Sequence, residues 1–441
     1  MTLLAPSRLA PLFGAAAAAA TPTRTGRVAR VVGLEVGVGG VDAAVGDVLE
    51  IATGGPEPLQ AEVVALGDGT LSCTPLGPMT GIRVGAPVVA TGGPLRVPVG
   101  PQLLGRVLDG LGRPLDGGPD LDGLPTAVVD GVAPHPLLRA RVDRPVSLGV
   151  RAVDTMTPIG RGQRMGIFAG SGVGKSSLLS MIARGTEAQV SVVALVGERG
   201  REVREFLEND LGPEGLARSV VVIATSDQPP MVRLRAAFVA TRIAEEFRDA
   251  GADVVLMMDS LTRVAMAQRE VGLSSGEPPT TKGYPPSTFA LLPRLLERAG
   301  PGERGSITGL YTVLVDGDDH NEPIADAARS ILDGHLVLTR RLATAGHFPS
   351  IDVLDSISRV AGAVTTPQQK AAAGELRRLL AAYRDAKDLI EIGAYAAGTN
   401  PDVDRAVALM PHADAFLRQA MHDVTPAPLA WEQLQALVTG G

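Results

Sequence analysis

A single cysteine, Cys73, stands among 441 residues, so no disulfide can close within the chain, and the absence of any Cys/His cluster leaves no zinc site to read. A reducing cytoplasm is the expected compartment. Long apolar runs are missing as well: none approaches the roughly 20 residues a membrane-spanning helix needs, and 45% hydrophobic with 20% charged residues is the balance of a globular protein. Positive charge is not in excess. The net charge of -7 gives no general electrostatic footprint for nucleic acid. Aromatic residues make up only 3%, and Phe13 is the only one before residue 150. The N-terminal part therefore lacks the platforms on which single-stranded bases stack.

What is present divides the chain, which is too long for one ordinary core. Residues 9–20, after Arg8, resemble a short signal peptide, but Pro11 and Gly14 interrupt the run. A loosely ordered, partly helical tail over 1–25 is expected, with a docking segment for a partner as a further reading. From 26 to 97 short β-rich pieces (27–34, 45–51, 59–66, 71–76, 87–90) are separated by Gly and Pro turns. That spacing predicts a small closed barrel, in which no strand edge is left exposed. A Pro- and Gly-rich passage over 94–145 reads as a well-turned connector.

The middle then changes character. Apolar runs at 165–169, 190–196, 220–224, 254–258, 307–315 and 336–338 alternate with helical patterns, the clearest being 232–249, where Val232, Ala236, Val239, Ile243 and Phe247 share one face. Strands apolar throughout and alternating with helices predict a mainly parallel sheet covered on both sides, over residues 98–368. Beyond 369 only helical patterns remain, at 375–389 and 402–421.

The strongest chemical signal is Ala169-Gly170-Ser171-Gly172-Val173-Gly174-Lys175-Ser176, followed by Ser177. A strict P-loop begins with Gly, and here Ala169 takes that place. The three glycines still let backbone N–H groups turn inward around phosphates at a helix N-terminus. Lys175 can reach the β- and γ-phosphates of ATP, and the Ser176 hydroxyl can ligate Mg²⁺. Asp259 ends the apolar run 254–258, where a carboxylate can hold Mg²⁺ through water; the plainer reading is a cap for a helix beginning near Ser260, and the two roles could coexist. Glu198, after the run 190–196, can polarise an attacking water, although a surface charge cluster opening a helix would look the same.

These motifs, together with Gly105-Arg106-Val107-Leu108-Asp109-Gly110, Ile159-Gly160-Arg161-Gly162-Gln163-Arg164, Asp259-Ser260-Leu261-Thr262-Arg263 and Asp355-Ser356-Ile357-Ser358-Arg359, resemble the rotary and export ATPase family. Within it the chain is similar to the flagellar and type III export ATPases, through Gly283-Tyr284-Pro285-Pro286-Ser287 and Asp333-Gly334-His335 as well. The resemblance runs from about residue 26 to residue 420. It implies an α/β fold with a RecA-like P-loop core, an N-terminal barrel and a helical C-terminal domain, assembled as a homohexameric ring with ATP between subunits. Glu198 matches the family's catalytic carboxylate, and Arg199 and Arg263 match side chains around the γ-phosphate. Arg359 matches an arginine reaching into the neighbour's site, and Phe348 an aromatic against adenine. For these two the alternatives are a buried structural arginine and plain core packing. The implied partners are a regulator on the N-terminal tail, a stalk-like subunit, an export gate, and exported substrates or their chaperones. No nucleic acid is expected. The implied place is the cytoplasmic face of a membrane-embedded export apparatus, with peripheral association only.

Three rivals remain at this level. A catalytic subunit of a rotary ATP synthase would carry an acidic rotor-facing segment where residues 382–395 read as the export type. A motor resembling the Rho terminator is opposed by the acidic charge and the missing aromatics. A nucleotide-binding subunit without turnover is opposed by Glu198. Between flagellar and injectisome export, residues 342–352 and 356–359 lean flagellar.

Overall fold

The computed structural model describes residues 24–67, 69–315 and 322–440, so the expectations for the tail before residue 24 lie outside the described residues. The chain divides into two compact units, one ending at Leu95 and the other starting at Arg96.

The first unit is a closed six-stranded barrel, β1 (Thr25–Val32), β2 (Glu35–Gly39), β3 (Asp47–Ile51), β4 (Leu59–Gly67), β5 (Thr70–Pro75) and β6 (Pro87–Pro94), in the order β1-β2-β5-β4-β3-β6. Val28, Val36, Val38, Leu49, Ile51, Val63, Cys73 and Val88 fill it. Burial, with Glu35 adding to it, pushes the Cys73 thiol up to about 12. The expected single strand over 27–34 is instead half of a hairpin. Val32 pairs Glu35 across a two-residue turn in which Gly33 has φ 58, a value glycine adopts without strain.

The second unit is built on a nine-stranded sheet. Its strands are β8 (Val107–Asp109), β10 (Arg164–Ala169), β11 (Val190–Val196), β12 (Ser219–Ala224), β13 (Asp253–Asp259), β14 (Gly300–Pro301), β15 (Ser306–Leu314), β16 (Gly334–Leu338) and β17 (Ile357–Ser358). The order is β17-β16-β10-β15-β13-β11-β12-β8, with β14 against β15. Only β14 and β17 pair antiparallel. Every residue of β11 and β12 is buried, as a sheet covered on both faces requires. The connector is more than a connector: β8 joins the sheet as an edge strand parallel to β12, while β7 (Arg96–Pro98) and β9 (Thr126–Val128) form a separate two-stranded ribbon. Further on, the Arg298 guanidinium, itself buried, donates to both oxygens of buried Glu245 (2.7 and 2.6 Å) and to the Val129 carbonyl (3.0 Å), tying this segment to helix Pro230–Asp249.

Three helices end the chain, Pro367–Glu391, Pro401–Leu417 and Ala427–Thr439. The first opens with a reciprocal capping box between Thr366 and Gln369. The pattern expected over 402–421 stops at Leu417, and the last helix is an addition to the sequence reading. Leu376, Leu379, Phe416, Trp431 and Leu434 share one core with Val153, Met156 and Leu178. Among the described residues no helix is long and apolar enough to cross a membrane.

Candidate active site

In a parallel sheet the carboxyl ends of all strands point one way, so residues far apart in sequence gather along one edge. Here β10, β11, β13 and β15 bring Ala169, Glu198, Asp259 and Thr312 to that edge. The turn after β10 needs its glycines: Gly172 has φ 74 and Gly174 has φ 92, both left-handed. Gly174 caps helix Lys175–Gly185, whose first turn receives no hydrogen bond from the cap's side chain. Its N–H groups are suited to an anion. Ser176 stands exposed on that turn, with Ser177 half-buried beside it.

Lys175 is the centre of the arrangement. Its Nζ lies 2.5 Å from Asp259 Oδ1 and 3.5 Å from Glu198 Oε1. The Thr312 hydroxyl donates to the same Asp259 oxygen (2.7 Å) from the strand between β10 and β13. Asp259 is therefore not the helix cap. That task falls to Ser260, whose hydroxyl accepts from the Arg263 N–H at 3.3 Å. Glu198 is likewise no surface charge, since only 18% of its side chain is exposed.

Burial first, and then the negative charge of Asp259, push the Glu198 carboxyl up to about 7, against the pull of Lys175. A carboxyl–carboxyl hydrogen bond with Glu202 works in the same direction, and Glu202 itself is held below its usual range by that bond and by Arg199. Burial opposes the charge on Lys175, but the two carboxylates outweigh it and raise its pKa above the ordinary lysine value. The result is a lysine firmly charged beside a carboxyl poised near neutrality.

The other expected residues fall at different distances from this centre. Arg199 is largely exposed and pairs with Glu202 (3.1 Å). Arg263, in the first turn of helix Leu261–Ser274, lays its stem against Gly197, and among the described residues its guanidinium makes no ion pair. Phe348 is 46% exposed, so it is not core packing. Its ring edge passes 3.5 Å from where a side chain on Gly174 would begin, and Ser350, two residues on, donates to the Val173 carbonyl at 2.5 Å. Arg359 is the one the fold does not bring in. It is exposed, not a buried structural arginine, and its N–H binds the Asp333 carbonyl at 2.9 Å. Gly334, at the start of β16, pairs Ser358, which sets Arg359 at the amino-terminal edge of the sheet. The length of β10, about 17 Å at some 3.3 Å per residue, separates that edge from the chain's own P-loop.

The Ser176 hydroxyl and the Asp259 carboxylate are hard oxygen donors of the kind Mg²⁺ takes alongside substrate phosphates. The donor set fits that ion. Thr312 escaped the sequence reading because a hydroxyl inside an apolar run carries no motif of its own.

Three family profiles match the chain. The family profile described as "ATP synthase alpha/beta family, nucleotide-binding domain" matches residues 149–358, that family's β-barrel domain matches 28–92, and a "T3SS EscN ATPase C-terminal domain" matches 365–436. The chain is 52% identical over 418 residues to the flagellum-specific ATP synthase of Bacillus subtilis, covering 94% of each chain. It is 49% identical to a type 3 secretion system ATPase of Xanthomonas euvesicatoria, covering 94% of this chain and 93% of that one. Among solved structures it superposes on the assembled ATPase EscN in complex with its central stalk EscO, from the type III secretion system of enteropathogenic E. coli. That match has a TM-score of 0.87 at 44% identity, over 94% of this chain and all of the other.

Proposed function

The chain belongs to the ATP synthase alpha/beta family, and from that premise we propose that it hydrolyses ATP to drive type III protein export, in the flagellar system. Export of the type III kind rests on relatives about half identical over nearly the whole length. The observation that carries the catalytic part is the convergence of Lys175, Glu198 and Asp259 at the end of the P-loop strand.

In this reading the N–H groups of residues 170–176 and the Lys175 ammonium hold the β- and γ-phosphates, and Phe348 meets the adenine. Glu198 orients the attacking water and takes its proton. Arg199 and Arg263 flank the γ-phosphate. Ser176 and Asp259 would hold Mg²⁺, which neutralises phosphate charge when bound. Arg359, set far from its own P-loop, acts on the neighbouring subunit's site. That requires an oligomer, a hexameric ring in our proposal, and the assembled state of EscN and its complex with a central stalk support both the ring and a stalk-like partner. Work at the cytoplasmic face of a membrane apparatus, with a regulator bound through the N-terminal tail and an export gate above, completes the proposal. So do exported proteins or their chaperones as cargo.

A carboxyl whose pKa is raised keeps its proton until the pH nears that value and is unable to accept another below it. With Glu198 at about 7 in the free enzyme, kcat/KM for ATP is expected to rise with pH through about 7 and then level. A profile flat from pH 6 to 8 would show that the Glu198 carboxyl titrates outside that range and would overturn its raised pKa, leaving its role as base to the Glu198→Gln variant. The flagellar assignment is tested by deleting the gene in its own bacterium. Cells should lose their filaments, whereas intact filaments with loss of secreted effectors would move the chain to an injectisome, as the Xanthomonas relative suggests.

A further inference from the structure

The residues that seat Phe348 come from two places. On one side Ser350 fastens the segment to the P-loop through Val173. On the other, the Phe348 carbonyl accepts from the backbone N–H of Gln419 (2.9 Å), just beyond helix Pro401–Leu417, and His347 Nε2 lies 3.8 Å from Asp414 on that helix. Gln419 is only 5% exposed, and its amide is fully engaged. Its oxygen accepts from the Arg151 N–H (2.9 Å), and its nitrogen donates to the carbonyls of Gly149 (2.7 Å) and Asp423 (2.8 Å). Arg151 returns the clasp, donating to the Phe416 carbonyl (2.8 Å), to Thr425 (3.1 Å) and to the Arg418 carbonyl.

A buried amide with every proton used fixes position closely, because leaving any of its partners unpaired costs more than the bond itself contributes. We propose that Gln419 is a positioning residue for nucleotide recognition: it locks residues 418–425 onto the turn at Gly149 and thereby sets where Phe348 stands beside the P-loop. The C-terminal helices and base binding are then mechanically one unit. A displacement of those helices, as by a partner bound to them, would reach the base through Gln419 without touching the phosphate contacts. The proposal rests on the reading that Phe348 meets the adenine.

The test uses the full chain at concentrations where activity per chain no longer changes on dilution. Gln419→Met, which keeps the length and removes every side-chain hydrogen bond, is expected to raise KM for ATP about fivefold or more, the scale of losing a base–aromatic stack. Its kcat should stay within about twofold, the signature of lost ground-state binding. The inhibition constant of inorganic tripolyphosphate, a competitor with no base, should not move. Phe348→Ala should raise KM similarly, and the double variant should be no worse than the weaker single one, since both remove the same contact. If tripolyphosphate weakens in step with ATP, Gln419 supports the whole site and the proposal is overturned. If Phe348→Ala raises KM while Gln419→Met leaves it unchanged, the coupling falls and the base reading stands. If Phe348→Ala has no effect on KM, the base reading falls and the coupling with it. Should Gln419→Met not fold, Gln419→Glu, which keeps the acceptor for Arg151, carries the same comparison.

Discussion

Arg359→Ala is expected to bind ATP nearly normally while losing about 10³ to 10⁵ in turnover, or about 4 to 7 kcal/mol, the contribution of an arginine that reaches a γ-phosphate in the transition state. The expectation follows from placement. Arg359 is exposed, makes no ion pair among the described residues, and stands at the opposite edge of the sheet from Lys175. A guanidinium in such a position either does nothing catalytic or serves another chain. Mixing decides: Lys175→Ala subunits, with a dead P-loop and an intact Arg359, are combined with Arg359→Ala subunits, whose P-loop is intact. Rings shown to be mixed should recover part of the activity, because a competent arginine then faces a competent site. No recovery in such rings would exclude action across the interface. Wild-type activity should also rise more steeply than in proportion to protein concentration until assembly is complete.

Glu198→Gln should bind ATP and hydrolyse it about 10² to 10⁴ times more slowly, the range for losing a general base. The amide keeps the shape and the reach toward Lys175, and loses the charge that draws the proton from water. Nucleotide should accumulate on the protein unhydrolysed, which a rapid-quench measurement of bound ATP against ADP would detect. A loss of affinity as large as the loss of rate would make Glu198 a support for Lys175 rather than the base. Removing the charge also removes one of the two carboxylates that hold Lys175. A moderate rise in KM is therefore compatible with the catalytic role; an equal one is not.

The parts of this site that the sequence disclosed are those tied to short, contiguous chemistry. The P-loop needs glycines at fixed offsets and a lysine at a helix start, and Glu198 and Asp259 each end an apolar run, so strand position and carboxylate are read together. The parts that stayed hidden depend on contacts between distant segments. Nothing local marks Thr312 as the partner of Asp259, or Gln419 as the seat of Phe348, because each is an ordinary polar residue whose meaning comes from 53 or 71 positions away. The same holds for the fold. β8 is three residues long and sits among turn-forming glycines and prolines, too short for alternation to show, and becomes a strand only because β12 offers an edge. The last helix begins at Ala427 with a proline in its first turn, which reads as a loop signal although a first turn tolerates proline.

The lone thiol inside the barrel has a practical consequence for anyone who wishes to watch this enzyme move. Burial holds the Cys73 thiol far above the ordinary thiol range, so it keeps its proton at pH 7, and it is fully shielded besides. Maleimide dyes and spin labels should therefore pass the native chain by. A cysteine introduced on the exposed surface of the C-terminal helices would be the only one to react, so fluorescence or electron-spin probes could be attached at chosen points without first stripping the protein of its own sulfur.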